Sequence, residues 1–565
     1  MSFKEIGNST WGPAGLALLT AALLWIGWPV HPAPLALLLL VAWVPYLRLE
    51  QVLVQRGSSG WKVFRYSYLT LVLWNAFVTW WVSHATLGGG ITAVICNALM
   101  MSAPLMAFYH TKRLFGPKLG YLSLPIFWIA FEQLHLTWDL TWPWLTLGNG
   151  FAEATAFVQW YEYTGFLGGS VWVWVVNLLL FLALFRPLQQ PASGAQLADD
   201  KPDKKLLAGA ALAVILPLLL SWFIGSRVQE QGPALEVVVV QPNVDPYTEK
   251  FQGKANFVPY DEQLTRLLKL SEQKLTPKTK LVIWPETALE EYYFEQQIEA
   301  NPKINRIRQW LAQHPGVALL TGITSVVMYP NQEAASVTAR HRDDMGYYDV
   351  FNSGAYFRDA VAPIQFYHKS RLVPGVEKIP PLLTSIIAHI DLGGTVGSYG
   401  SQDERTVFTA PAGAPGLRVA PLICYESIYG DFTAEYVKGG ATLLGLFTND
   451  AWWHDSPGYR QLLRYGALRS IETRRDLARS ANTGFTGFIN QKGEMFQRET
   501  AWIPTASRAT VHLNTELTFY VRYGELIGAA TQVLAVVLLL ALLVKALNRR
   551  LGAKLVAAEP VARPA

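Results

Sequence analysis

The sequence predicts a two-part protein: a multi-pass α-helical membrane domain of about eight spans, and an α/β domain with layered sheets. Three observations predict it. The 565 residues are 51% hydrophobic and only 16% charged, against about 25% charged in soluble domains. Apolar stretches of membrane-spanning length recur through the first 225 residues and once near the C-terminus. Between them, 226–523 alternates short β-branched runs with amphipathic stretches.

A hydrocarbon core about 30 Å thick needs about 20 mostly apolar residues per helix. The expected spans are 11–29, 33–48, 66–85, 89–109, 119–134, 165–186, 206–225 and 524–546. No short apolar region with a small-residue cleavage site opens the chain, so the first run reads as a retained anchor. Charge placement supports this set. Arg56, Lys62 and Arg65 lie in one loop, Lys112, Arg113 and Lys118 in another, Lys201, Lys204 and Lys205 in a third, and Lys545, Arg549, Arg550 and Lys554 in the tail. In an eight-span arrangement all four groups share one side, while the opposite loops around 30–33, 86–88 and 135–164 contain no Lys or Arg. The positive-inside rule places the basic side, with a tail at 547–565, in the cytoplasm and 226–523 on the far side. The 21 Trp residues fit a membrane protein, since Trp favours the membrane–water interface. Loop 135–164 is densely aromatic, with Trp138, Trp142, Trp144, Phe151, Phe157 and Trp160. It reads either as an interfacial belt or as a lipid-guiding element beside a site. Gln189–Asp203 reads as a linker, and the last dozen residues as disordered.

Segment 226–523 is long enough for its own core. Strands are expected at Leu235–Gln241, Lys280–Trp284, Val317–Ile323, Tyr347–Arg358, Val361–Tyr367, Leu417–Cys424, Thr442–Thr448, Thr486–Ile489 and Thr510–Leu513. Helices are expected at Asp261–Gln273, Lys303–His314, Ser427–Lys438 and Tyr459–Arg479. The net charge of +5 is not gathered into a basic stripe with interleaved aromatics, so nucleic acid is not an expected partner.

The cysteines are Cys96, in an apolar run, and Cys424, in a polar domain; a disulfide between them is not expected. Cys424 ends an apolar strand where a helix is expected to begin. The positive end of a helix dipole there would favour thiolate. Taken alone, a lone cysteine is more often a small buried hydrophobe. Glu286 follows Trp284-Pro285 at the end of another strand, and Lys369 follows a third. Alone, each reads as an ordinary surface charge. Together, three strands end in Glu, Lys and Cys, and strand ends are where open α/β architectures gather sites.

This order and these contexts resemble the carbon–nitrogen hydrolase (nitrilase) superfamily over about 235–515. With helical spans on both sides, nearly the whole chain resembles the apolipoprotein N-acyltransferases. Matching stretches are Val240-Gln241-Pro242-Asn243, Leu372-Val373-Pro374 with Glu377, Cys424-Tyr425-Glu426, Thr448-Asn449-Asp450-Ala451-Trp452 and Arg479-Ser480-Ala481-Asn482-Thr483-Gly484. The resemblance implies an α-β-β-α sandwich carrying a Glu-Lys-Cys triad: Glu286 as general base, Lys369 as oxyanion stabiliser, Cys424 as nucleophile. It implies supporting roles for Glu377, Tyr425, Glu426 and, in a substrate-side loop, Trp452. The chain has Gly375-Val376-Glu377 where the family often has Phe-Gly-Glu, and Tyr247 or Phe251 where it often has an arm Trp. The implied reaction moves an acyl chain from a phospholipid, through a thioester, to the α-amino group of a diacylglyceryl-cysteine on a lipoprotein. The implied setting is a bacterial inner membrane, with a periplasmic catalytic domain, no cofactor or metal, and a monomer. The apolar loop 135–164 and Leu382–Ile390 are expected to cover the site. A membrane-tethered amidase would use the same triad without needing eight spans. An inactive interaction module would not need all three residues. A transporter would need more intramembrane charge.

Overall fold

The computed structural model describes residues 12–185, 202–378, 399–409, 411 and 413–558. The expected cover Leu382–Ile390 lies outside the described residues, as does the linker Gln189–Asp203 apart from Pro202 and Asp203.

Each of the eight expected spans is largely helical over its described residues. α1 is Gly12–Ile26; a 3₁₀ stretch, Ala33–Leu40, leads into α2, Val44–Gln55. There follow α3 (Gly60–Thr79), α4 (Leu87–Phe115), α5 (Pro117–Thr137), α6 (Leu167–Leu184) and α7 (Lys204–Arg227). The terminal helix Leu526–Ala558 runs on past the expected start of disorder. Among the described residues, five helical stretches are long and apolar enough to cross a membrane by length and composition: Ala33–Gln55, Leu87–Phe115, Leu167–Leu184, Lys204–Arg227 and Leu526–Leu551. α1 is shorter, at 15 residues, and α3 and α5 carry polar groups such as Asn75, Glu132 and His135.

Trp25, Trp61, Trp80 and Trp222 are exposed, but other tryptophans depart from the interfacial expectation. Trp28, Trp43, Trp74, Trp128 and Trp174 are fully buried inside the helical part. Most of their ring pairs meet edge-on or tilted, as in Trp43–Trp128 and Trp43–Trp174 at 4.8 Å, while Trp74 and Trp128 stack. Aromatic pairs gain from such geometry beyond area burial, so these residues fill a core.

Among the described residues, the segment between α7 and the terminal helix contains two sheets. The first has eight strands: β1 (Ala234–Gln241), β2 (Thr279–Ile283), β3 (Leu289–Phe294), β4 (Ala318–Tyr329), β5 (Arg340–Arg342), β6 (Gly346–Phe357), β7 (Gln365–His368) and β14 (Thr505–His512), in the path β14-β1-β2-β4-β6-β5 with β3 on β4 and β7 on β6. The second has six: β8 (Phe408–Thr409), β9 (Arg418–Ile423), β10 (Leu443–Thr448), β11 (Leu477–Ala481), β12 (Gly487–Ile489) and β13 (Met495–Phe496). Alternation in β1 and β2 decides the layers. Val237, Val239, Leu281 and Ile283 join the core shared with β9 and β10. Val238, Val240 and Val282 face the other way. There they meet Leu264 and Leu267 of α8 (Tyr260–Glu272) and Ile304 and Ile307 of α9 (Pro302–Gln313). On the second sheet lie α10 (Gly430–Lys438) and α11 (Pro457–Thr473), with Leu468 and Ile471 in the shared core. The order helix, sheet, sheet, helix is the expected sandwich.

Three expectations are corrected. The helix expected over Tyr459–Arg479 ends at Thr473, because Arg474 takes left-handed φ of +50° and the chain re-enters the sheet as β11. The strand expected from Val361 begins at Gln365, because Asp359 accepts from the Val361 and Ala362 amides and makes a turn. The helix expected at Ser427 starts at Gly430, after a single 3₁₀ turn over Cys424–Ile428.

Loop 138–160 does not lie free in an interface. Trp144 is buried and donates to Gln461 Oε1 at 2.7 Å, while Tyr465 donates back to the Trp144 carbonyl at 3.0 Å. The loop thus ties the helical part to α11.

Candidate active site

Glu286 sits on a turn after β2. Pro285 offers no N–H to the ladder, but its carbonyl accepts from Gly322 of β4 at 3.1 Å. A Cβ on Gly322 would stand 2.4 Å from the Thr287 nitrogen, so only glycine lets this turn lie against the sheet. Thr287 itself is held at φ +46°. Both oxygens of the buried Glu286 carboxylate are bound. Oε1 accepts from Asn352 Nδ2 at 2.8 Å and faces Lys369 Nζ at 3.3 Å; Oε2 accepts from the Asn449 amide at 3.0 Å.

Lys369 follows β7, and its amide donates to the Asn352 carbonyl at 2.9 Å. Its ammonium is 1% exposed and also meets Glu377 Oε1 at 2.8 Å. Burial alone would pull this lysine down, but Glu377 and Glu286 hold it well above the usual range. Asn352 bridges the two acids, donating to Glu377 Oε1 at 3.0 Å as well. The second Glu377 oxygen accepts from the Val373 amide at 2.8 Å.

Cys424 follows β9 at φ +50°, a left-handed conformation that costs about 1–3 kcal/mol in a non-glycine residue. The cause is visible in Glu426. Its buried carboxylate accepts from Ile423 N (2.8 Å), Ser370 N (2.8 Å), Arg371 N (3.2 Å) and Tyr367 Oη (2.6 Å). Glu426 therefore clamps the cysteine turn to the lysine loop and is not a free acid. The helix-dipole expectation for the thiol is corrected. One 3₁₀ turn has little dipole, and burial pushes Cys424 well up, with Glu286 adding to the rise and Lys369 opposing it. Burial and the Glu286 carboxylate therefore favour the neutral thiol at Cys424, with the Lys369 ammonium opposing them.

Around this centre, Tyr425 is buried against Tyr429, donates to the Thr141 carbonyl at 3.0 Å and stacks on Trp142. Loop 135–164 therefore does stand beside the site. Trp452 meets both arm aromatics: Tyr247 at 5.5 Å and Phe251 at 5.9 Å between ring centroids. The distant motif stretches converge: Asn482 accepts from the amides of Asn243 and Val244 and donates to Asn449 Oδ1 at 3.1 Å. Below them Arg479 and Asp450 form a buried pair at 2.9 Å.

Sequence reasoning missed two residues. Asn352 lies mid-strand in β6, where a polar residue carries no spacing signal. Lys250 is fully buried, donates to Thr287 Oγ1 at 2.5 Å and faces Glu290 at 3.6 Å. Among the described residues no cluster of His, Cys, Asp and Glu could hold a metal ion.

Comparison with known proteins agrees with this architecture. Residues 20–179 match the family model "apolipoprotein N-acyltransferase N-terminal domain", and 252–515 match "carbon–nitrogen hydrolase". The apolipoprotein N-acyltransferase of Chlorobaculum tepidum is 31% identical over 530 residues, covering 91% of this chain and 93% of that one. That of Geobacter metallireducens is 24% identical, covering 87% and 88%. Among solved structures, Saccharomyces cerevisiae Nit3 of the nitrilase superfamily overlaps 51% of this chain and 93% of its own at TM-score 0.33 and 14% identity. By its near full-length match to curated relatives, this chain belongs to the apolipoprotein N-acyltransferase family.

Proposed function

We propose that the protein N-acylates the N-terminal diacylglyceryl-cysteine of apolipoproteins, taking the acyl chain from a phospholipid through a thioester on Cys424. The observation that carries the reading is the buried cluster in which the Glu286 carboxylate faces the Lys369 ammonium at 3.3 Å and bears electrostatically on the Cys424 thiol.

In the first half-reaction Glu286 takes the thiol proton as Sγ attacks the ester carbonyl. Lys369 stabilises the oxyanion, a service worth about 3–4 kcal/mol in comparable sites. Collapse breaks the carbon–oxygen ester bond, and Glu286 returns the proton to the departing lysophospholipid. In the second, the neutral α-amino group attacks the thioester, Glu286 receives its proton, and Cys424 leaves and is reprotonated. Glu377 and Asn352 keep Lys369 and Glu286 in place throughout. A resting thiol suits this order, since an idle thiolate would be open to oxidation. Both substrates are lipids, which suits a catalytic domain packed on membrane helices. The reading places the catalytic domain on the periplasmic side of an inner membrane, as a monomer.

The test uses purified protein with phospholipid and a synthetic diacylated lipopeptide. A lipopeptide mass gain of one acyl chain, abolished by acetylating its α-amino group, is expected. Hydrolysis of small amides with no acyl gain on the lipopeptide would replace the reading with a tethered amidase.

A further inference from the structure

A cavity of about 640 Å³ opens where α7 ends and the chain re-enters the terminal helix. Its wall includes Tyr163, Phe223, Arg227, Phe519, Arg522 and Tyr523. All six side chains are exposed, although this is the junction between the helical part and the sandwich. The Arg227 guanidinium lies 4.1 Å over the Phe223 ring. Stacking uses a face of the guanidinium and leaves its in-plane N–H donors available. Neither the Arg227 nor the Arg522 side chain has a hydrogen-bond or ion-pair partner among the described residues. On the same wall Glu162 is already neutralised by Arg474 at 2.7 Å. Two guanidinium groups thus stand against one further acid, Glu516.

The placement is unusual. Other loops on this side, 30–33, 86–88 and 135–164, contain no Lys or Arg, as expected of the side opposite the basic one. Two unpaired arginines with four aromatic rings at the level of the span ends match the chemistry of a phosphodiester at a bilayer surface. Guanidinium recognises phosphate bidentately, and aromatic rings favour the headgroup zone. Below the cavity α7 presents exposed Leu216, Leu219 and Leu220, a surface for acyl chains.

The cavity is separate from the triad. It borders Gln231 and Arg474, which precede β1 and β11. Glu286 and Cys424 follow the C-terminal ends of β2 and β9, and β2 runs parallel to β1 while β9 and β10 run parallel to β11. About 20 Å of strand separates the two edges.

We propose that this cavity is a binding site for the phosphate of an anionic phospholipid, distinct from the acyl donor, that seats the sandwich on the membrane through Arg227 and Arg522. The test is native mass spectrometry and thermal unfolding of the full-length protein in detergent. Titrants are a diether phosphatidylglycerol, which cannot donate an acyl chain, diether phosphatidylcholine and inorganic phosphate. Wild type should retain one more phosphatidylglycerol than R227Q/R522Q, and the variant's apparent affinity should fall about tenfold or more. Acyl transfer in phosphatidylcholine micelles should match wild type. Equal phosphatidylglycerol retention by both proteins would overturn the proposal. Equal stabilisation by inorganic phosphate would overturn the lipid as ligand in favour of a free anion. If the double variant does not melt like wild type in phosphatidylcholine, R522Q alone is read by the same titration, and unchanged affinity there overturns the proposal.

Discussion

The Cys424 side chain shows how environment sets chemistry at a single residue. Burial and Glu286 raise the thiol, so its folded value lies above that of a free cysteine, and the neutral form persists through neutral pH. Alkylation of the resting protein by iodoacetamide should therefore be slow at pH 7 and still climb as pH rises through 9. A rate that levels off below pH 8 would show an activated thiolate instead. Lys250 makes a second residue-scale case. Its ammonium meets the Thr287 hydroxyl and, at 3.4 Å, the Glu286 carbonyl, and lies 5.9 Å from the ring centre of the arm aromatic Phe251. As a positioning residue it should lower kcat by about tenfold to a hundredfold on K250M, with KM little changed and partial rescue in K250R. Equal loss in both variants, tracking a lowered melting temperature, would mark a merely structural role. The candidates Glu286, Lys369 and Cys424, which the fold brings together, stood out in the sequence because each follows a strand within a distinctive local motif. Asn352 and Lys250 did not, because their meaning lies in contacts with residues 66 and 36 positions away.

At the scale of elements, the turn carrying Glu286 depends on its neighbour β4. G322A should force the turn off the strand, since a Cβ would also meet the Pro285 carbonyl at 2.5 Å. Activity should fall about a hundredfold, which a kinetic assay on the folded variant would detect. The buried Arg479–Asp450 pair joins β11 to the loop after β10. D450A leaves a buried guanidinium uncompensated and should cost about 3–5 kcal/mol, read as a lower unfolding midpoint. Strand periodicity made β1, β2, β6, β9 and β10 readable. β11 was hidden inside an apparent helix because the break falls at Arg474, a residue without the glycine signal for left-handed backbone. β5, β8 and β13 have two or three residues each and exist only through their pairing.

Across the whole molecule, one continuous apolar core runs from Trp28 and Trp43 of the helical part to Tyr429 and Leu468 of the sandwich. Hydropathy and charge located the helices but were silent on this union, which depends on contacts across more than 300 residues, such as Trp144 to Gln461. W144A should lose about 3–5 kcal/mol and loosen the loop beside Tyr425. A scanning calorimetry trace should then show the molecule unfolding at a lower temperature than wild type, and an unchanged midpoint would contradict the coupling. The buried tryptophans escaped a compositional reading because the same residue serves interface and core alike.

The central claim is an acyl chain carried on Cys424. The most direct measurement incubates the detergent-solubilised protein with phospholipid bearing an alkyne-labelled acyl chain, then resolves it on a gel with and without neutral hydroxylamine, beside C424S. The account predicts a label on wild type that hydroxylamine removes, that C424S lacks, and that a diacylated lipopeptide discharges. A folded wild-type protein that takes no label from any phospholipid, or a label that persists in C424S, would contradict it.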